Sequence, residues 1–242
     1  MLSDVLKAVG IAGLMLATGL AAQAVTAARE RTRRDRWIRA ARLLGLAVPE
    51  HQSLPMVPIR EVSHLHLFQR GDRSLALNDV LGDINLFRGD QSPPTNVVQG
   101  DINGLELLVF DYRYTVDRGK RRWVVWQTAA LARLQARAVP AFELRPEQLL
   151  HKLGAFVGQQ DIDFSAYPEF SKHYLLRGAR TDEVRALFDR DVLRFFAERP
   201  SWSVEGGGGW LVMYRSGQRV LPEQLRQFMD DVRHIITLIV RA

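Results

Sequence analysis

The N-terminal part of the chain is an uncharged stretch followed directly by a basic one. Residues 8–28 contain no charged side chain, whereas residues 29–42 contain seven arginines. A helix over the uncharged residues rises about 31 Å, which matches the hydrocarbon thickness of a bilayer. Because basic flanks are retained in the cytoplasm, the pattern predicts a transmembrane anchor over 1–28, a basic juxtamembrane helix over 29–50 and a cytosolic domain over 51–242. The expected location is the inner membrane, crossed once.

Two alternatives to an uncleaved anchor stay open. Ala22-Gln23-Ala24 has the small-x-small pattern of a signal-peptide cleavage site, but the charges of Asp4 and Lys7 before the apolar stretch cancel, and a cleaved signal requires a positive start. The stretch is rich in alanine and glycine rather than leucine, so a peripheral or buried N-terminal helix is the other alternative. A cleaved signal would give the domain an envelope-side role. The absence of cysteine fits a reducing compartment.

Strands dominate the first part of the predicted domain. Residues 105–116 alternate with period two, placing Leu108 and Phe110 on one face and Val109 and Asp111 on the other. A turn at 117–120 returns the chain into a second strand over 123–131, and apolar residues on both faces indicate a hairpin that is covered on both sides. Further strands are predicted over residues 59–69, 142–144, 171–177, 202–204 and 210–215.

Helical spacing of apolar residues appears later in the chain. One amphipathic helix is predicted from an N-cap at Thr181 to Pro200, and another begins at Pro222 and carries an uninterrupted apolar stripe. A shorter helix is predicted from Pro146 to Gly154. The predicted fold is therefore α+β: an N-terminal transmembrane helix followed by an antiparallel-sheet domain with two amphipathic helices packed on it.

The positive charge of the protein is concentrated in one place. The chain has 33 Lys and Arg against 27 Asp and Glu, a net charge of +6, and residues 29–42 supply all but one of these net charges. The rest of the chain is nearly neutral, which argues against a nucleic-acid-binding surface. The residues predicted to lie at the membrane surface are Arg29, Arg31, Arg33, Arg34 and Arg36.

Short motifs spread over the domain carry a resemblance. They are Phe110–Thr115, Gln127-Thr128, Phe142–Glu147, Asp161–Phe164, Tyr174–Gly178 and Trp202–Glu205. Together they resemble a family of uncharacterised bacterial membrane-anchored proteins. The resemblance implies an N-terminal membrane segment and a cytosolic domain, and it implies no catalytic activity.

Candidate chemistry is sparse. Without cysteine, thiol catalysis and cysteine-ligated metal sites are excluded, and neither a Walker loop nor a His-Glu-x-x-His motif is present. His64 and His66 share one face of a predicted strand, and Asp161 and Asp163 have the same spacing, so these four are the candidate metal ligands.

The sequence favours a membrane-tethered, non-catalytic binding or scaffold module with a protein partner and no cofactor. The alternative is a metal-assisted hydrolase that uses these aspartates and histidines. The oligomeric state stays open.

Overall fold

The computed structural model describes residues 2–49, 92–102, 104–118, 121–135, 138–147 and 161–241, and it describes side chains for 17–49, 94–102, 104–115, 124–135, 138–147 and 161–241. The helices are α1 (Leu2–Leu43), α2 (Pro168–His173), α3 (Thr181–Leu187), α4 (Arg190–Glu198) and α5 (Leu225–Arg241), and a 3₁₀ turn spans Pro222–Gln224. The strands are β1 (Ser92–Ile102), β2 (Leu105–Arg118), β3 (Arg121–Arg133), β4 (Val139–Pro146), β5 (Tyr174–Gly178), β6 (Trp202–Gly208) and β7 (Trp210–Arg215). The predicted strand over 59–69 lies outside the described residues.

In the described ranges the strands form one seven-stranded sheet in the order β1-β2-β3-β7-β6-β4-β5. Every neighbouring pair is antiparallel. The hairpin predicted around residues 117–120 is confirmed, with Leu108 opposite Leu131 and Phe110 opposite Ala129. The strands predicted over residues 202–204 and 210–215 are also confirmed, as β6 and β7, and they pair with each other. The α+β class with an antiparallel sheet is therefore correct.

The two faces of this sheet have different surroundings. On one, called here the helix face, Leu107, Val109 and Met213 join a core with Trp37 of α1 and Phe228 of α5. Buried residues of all five helices belong to that core. The second face carries a separate buried cluster made of strand residues, which includes Phe110, Tyr112, Leu131, Val212 and Tyr214. Both faces are buried, as the apolar pattern of the hairpin predicted.

Some predicted elements were wrong at their boundaries. The helix predicted from Thr181 to Pro200 is two helices, because Asp189 adopts extended backbone and its carboxylate accepts hydrogen bonds from the amides of Asp191 and Val192, at 2.9 and 3.0 Å. An aspartate in that position starts a new helix. The N-cap of the first of them is Arg180, not Thr181, and it makes no side-chain capping bond.

Two prolines lie at the ends of elements. Pro146 is the last residue of β4, opposite Tyr174, and the helix predicted from Pro146 to Gly154 stays a prediction, because residues 148–154 lie outside the described ranges. Pro168 occupies the first turn of α2, so residues 171–173, which were predicted to be strand, are helical and only the part from Tyr174 onward pairs with β4. Proline fixes φ near −65°, which suits a first helical turn and a strand end alike.

The basic segment predicted to continue the N-terminal helix does so. α1 runs without a break to Leu43, where Gly45 turns the chain with a φ of 74°, and Ala47 then pairs with Gln99 of β1. Trp37 and Ala41 are fully buried against the domain. Among the described residues, no helix is both long enough and apolar enough to cross a bilayer. The transmembrane part of the prediction is therefore not confirmed.

Candidate functional site

The carboxylate of Asp111 is a buried polar group on the helix face with several side-chain partners. It lies in β2 between apolar neighbours, and its side chain is completely buried. Among the described residues, it accepts hydrogen bonds from four side chains, those of Arg33, Arg219, Asn96 and Thr128, at 2.9, 2.9, 2.9 and 2.6 Å. We call Asp111, these four partners and Glu30 the Asp111 junction.

The four partners come from four separate parts of the fold. Arg33 belongs to α1, Asn96 to β1, Thr128 to β3, and Arg219 to the segment before the 3₁₀ turn. Asn96 adopts a positive φ of 54°, a conformation that asparagine tolerates better than most residues. One buried carboxylate thus holds the basic helix, the sheet edge and the segment leading to α5 together.

In the segment before α5, the backbone of Val220 is hydrogen-bonded through both its amide and its carbonyl. The amide of Val220 donates to the hydroxyl of Thr128 at 2.9 Å, and its carbonyl accepts from Arg33 at 2.7 Å. Thr128 donates its own proton to Asp111. Because the hydroxyl acts as donor and acceptor at once, the position of α1 and the start of α5 are set by the same group of atoms.

A second carboxylate completes the charge balance. Glu30 accepts two hydrogen bonds from the guanidinium of Arg219, at 2.7 and 2.6 Å. These hydrogen bonds hold the pKa of the Glu30 carboxyl below its ordinary value, although burial acts in the opposite direction. The junction therefore contains two carboxylates and two guanidinium groups, and as a whole it carries no net charge. Buried ions are tolerated when they are paired in this way.

Both guanidinium groups of the junction also lie over indole rings. The Arg219 guanidinium carbon is 4.2 Å from the ring centre of Trp126, and that of Arg33 is 5.4 Å from that of Trp37. Arginine stacks on aromatic faces without losing its in-plane hydrogen bonds. The two indole rings therefore act as packing partners for the arginines of the junction.

The structure separates the five arginines predicted at the membrane surface. Arg33 points into the junction, and Arg36 is bonded to Glu223 of the 3₁₀ turn. Arg29, Arg31 and Arg34 are exposed and form no ion pair in the described part of the chain. The role of these residues at a membrane surface stays a prediction.

The candidate metal ligands are not assembled into a site by the part of the chain that the structure describes. Asp161 is paired with Arg177 at 2.9 Å, and Asp163 is exposed, with its backbone carbonyl accepting from Arg185 at 2.7 Å. No group of three or more potential metal ligands occurs within the described ranges. His64 and His66 lie outside them.

A second polar cluster lies on the other face of the sheet. Glu143 and Glu205 are direct cross-strand neighbours on β4 and β6. Arg145 is ion-paired with Glu143, and the hydroxyl of Tyr214 donates to Glu205 at 2.6 Å. Like charges placed opposite each other are unfavourable unless they are compensated, and here the guanidinium supplies that compensation. These side chains form a polar cluster within a sheet face that is otherwise apolar and buried.

Sequence reasoning missed every partner of Asp111 in the junction. The local signal was the aspartate itself, which stands among apolar residues on a strand whose two faces are both buried. A buried carboxylate needs cationic or hydrogen-bonding partners. Their existence could have been inferred from this, but not their identity.

Comparisons with known proteins give one result about the fold. No protein-family model matches the chain, and no curated protein matches it, which is consistent with the resemblance to uncharacterised proteins. Among solved structures, the crystal structure of the mycobacterial trehalose monomycolate transport factor A, TtfA, superposes with a TM-score of 0.50 and 16% sequence identity, covering 86% of this chain and 92% of that one. The two chains share a fold. At this identity the similarity to TtfA extends to the architecture and no further.

Proposed function

We propose that this protein is a non-catalytic accessory module that is tethered to the inner membrane through α1 and binds a protein partner with its cytosolic α+β domain. The observation that carries the proposal is the division of α1 into two parts. Residues 17–29 are exposed without exception, whereas Arg33, Trp37 and Ala41 farther along the same helix are fixed to the domain.

We infer that the exposed part of α1 lies in the membrane. Helical stability in proteins comes mainly from packing, and the side chains of residues 17–29 are all exposed. In a bilayer the same segment is stable as a helix, because no water is present to compete for its backbone hydrogen bonds. Leu20 and Val25 are 59% and 51% exposed, which suits contact with lipid or with other membrane helices.

The fixed part of α1 gives this tether a defined direction. Arg33 reaches a carboxylate that is wholly buried, and Arg219 joins that carboxylate to Glu30 on the same helix. A helix held in this way behaves as one rigid arm with the domain. We infer that the module presents a constant surface to its partner at a set distance from the membrane.

The similarity to TtfA supports an accessory role over an enzymatic one. That protein is described as a transport factor, and we propose that this chain likewise assists a transport process without catalysing a reaction. The support is an analogy of fold.

Fractionation and topology reporters test the proposal together. The full chain is expected in the membrane fraction after a high-salt wash, and a reporter fused after Ala242 is expected to be active in the cytoplasm. Replacing Arg29, Arg31 and Arg34 by glutamine should weaken that orientation, whereas Arg33 is left intact because it belongs to the junction. A chain found in the soluble fraction, or a reporter active only outside the cytoplasm, would contradict the proposal.

A further inference from the structure

The basic block of α1 is not uniform once its ion pairs are assigned. Arg33 and Arg36 are engaged by Asp111 and Glu223 of the domain. The remaining arginines of the block are exposed and unpaired in the described part of the chain. They are Arg29, Arg31, Arg34, Arg39 and Arg42.

The junction also removes a negative charge from this surface. Glu30 lies between Arg29 and Arg31 in the sequence, but both of its oxygens accept from Arg219. Its charge is therefore balanced within the protein and does not offset its basic neighbours. Asp35 is the one exposed acidic side chain between residues 29 and 42, so the surface keeps a strong excess of positive charge.

The distance from residue 28 along the helix axis divides the unpaired arginines into two groups. With a rise of about 1.5 Å per residue, Arg29, Arg31 and Arg34 lie within about 9 Å of residue 28, the last residue of the predicted anchor. Arg39 and Arg42 lie about 17 and 21 Å away from it. Charge interactions fall off over about 8 Å at physiological ionic strength, so only the first group is close enough to act on a membrane surface.

We propose that Arg29, Arg31 and Arg34 form a binding surface for anionic phospholipid headgroups, and that the other arginines of the block do not take part. The inference rests on the proposed membrane tether and names the lipid chemistry that this tether recognises. The guanidinium groups donate to headgroup phosphates, a geometry that arginine matches well. Each such residue near an anionic surface contributes about 1 kcal/mol.

Two matched double variants of the full chain test the inference. Arg31→Gln with Arg34→Gln removes two charges close to the anchor, and Arg39→Gln with Arg42→Gln removes two charges far from it. All four side chains are exposed, so both variants should fold, and circular dichroism melting of each provides the check. The protein is offered vesicles of pure phosphatidylcholine in competition with vesicles in which about a third of the lipid is phosphatidylglycerol, and the bound ratio is measured.

The wild-type chain should prefer the phosphatidylglycerol vesicles. In the near double variant (Arg31→Gln with Arg34→Gln) this preference should fall roughly 30-fold, which corresponds to about 2 kcal/mol at 1.4 kcal/mol per tenfold. The far double variant (Arg39→Gln with Arg42→Gln) should change the preference by less than about threefold, because the two charges that it lacks are screened from the membrane surface in the wild type. Equal losses in both variants, or equal binding of both vesicles by the wild type, would overturn the inference and leave the tether standing. A chain that binds neither vesicle would contradict the tether and this inference with it.

Discussion

Replacement of Asp111 by asparagine is the most direct perturbation of the junction. The side chain keeps its size but loses its charge, and one acceptor oxygen becomes an amide donor. Arg33 and Arg219 both contact the Oδ2 atom at 2.9 Å, and Thr128 donates to Oδ1 at 2.6 Å. Whichever way the amide is oriented, at least one existing donor then faces another donor, and two guanidinium groups lose their buried counter-ion.

The expected cost follows from the burial of the ions. Removing one partner of a buried ion pair typically destabilises a protein by about 3–5 kcal/mol. The side chains of Arg33 and Arg219 are 13% and 17% exposed, so water compensates a little of the loss and we expect the lower end of that range. Since a domain is stable by about 5–15 kcal/mol in total, the variant should fold with a clearly lower denaturation midpoint.

Urea unfolding of the full chain, followed by tryptophan fluorescence and circular dichroism, measures this difference. Asp161→Asn is the matched control, because it removes the same group from an ion pair with Arg177 whose carboxylate is 46% exposed. The control should cost less than about 1 kcal/mol. A cost of Asp111→Asn that is no larger than that of the control would refute the reasoning that this carboxylate holds the fold together.

Three further predictions concern other parts of the domain. Phe228→Ala should cost about 3–5 kcal/mol by equilibrium unfolding, because Phe228 is 2% exposed and stacks on Trp202 with ring centres 5.4 Å apart; a loss below about 1 kcal/mol would contradict the packing of α5. Asp189→Ala should cost about 0.5–2 kcal/mol through loss of the α4 cap, and Asp189→Asn, which keeps an acceptor, should recover most of it. The Glu30 carboxyl has a lowered pKa, so its stabilising effect is complete above the ordinary value of 4.5 and is lost as the pH falls through the lowered value. The unfolding free energy of Glu30→Gln, measured against pH, should therefore fall less steeply below pH 4.5 than that of the wild type, and parallel curves would contradict the assignment.

The elements that the sequence predicted well are those with strong local periodicity. The alternation through Leu108 and Phe110 and the apolar stripe through Phe228 each specify one buried face, and the structure confirms both. The predicted single helix around Asp189 failed because one capping side chain overrides a continuous apolar pattern. Propensity and periodicity are averages over several neighbouring residues, whereas one capping side chain is enough to begin a new helix.

The candidate site was much harder to predict than the fold. Arg33 and Arg219 reach Asp111 across 78 and 108 residues of sequence. No local pattern can distinguish an arginine that faces lipid headgroups from one that turns back to a buried carboxylate, because both occur in the same basic helix. Only the tertiary arrangement separates Arg33 from Arg31 and Arg34.

The central claim is that α1 is a rigid arm that joins a membrane tether to the domain. The chain has no cysteine, so spin labels can be placed at two chosen sites, Ala24→Cys on the exposed part of α1 and Arg190→Cys on the exposed surface of α4.

Pulsed electron paramagnetic resonance on the full chain in phosphatidylglycerol-containing vesicles then measures the distance distribution between the two labels. The account predicts one narrow distribution for the doubly labelled protein and a broad one when Asp111→Asn is added. A broad distribution in the protein with Asp111 intact, or a narrow one that the substitution leaves unchanged, would contradict it.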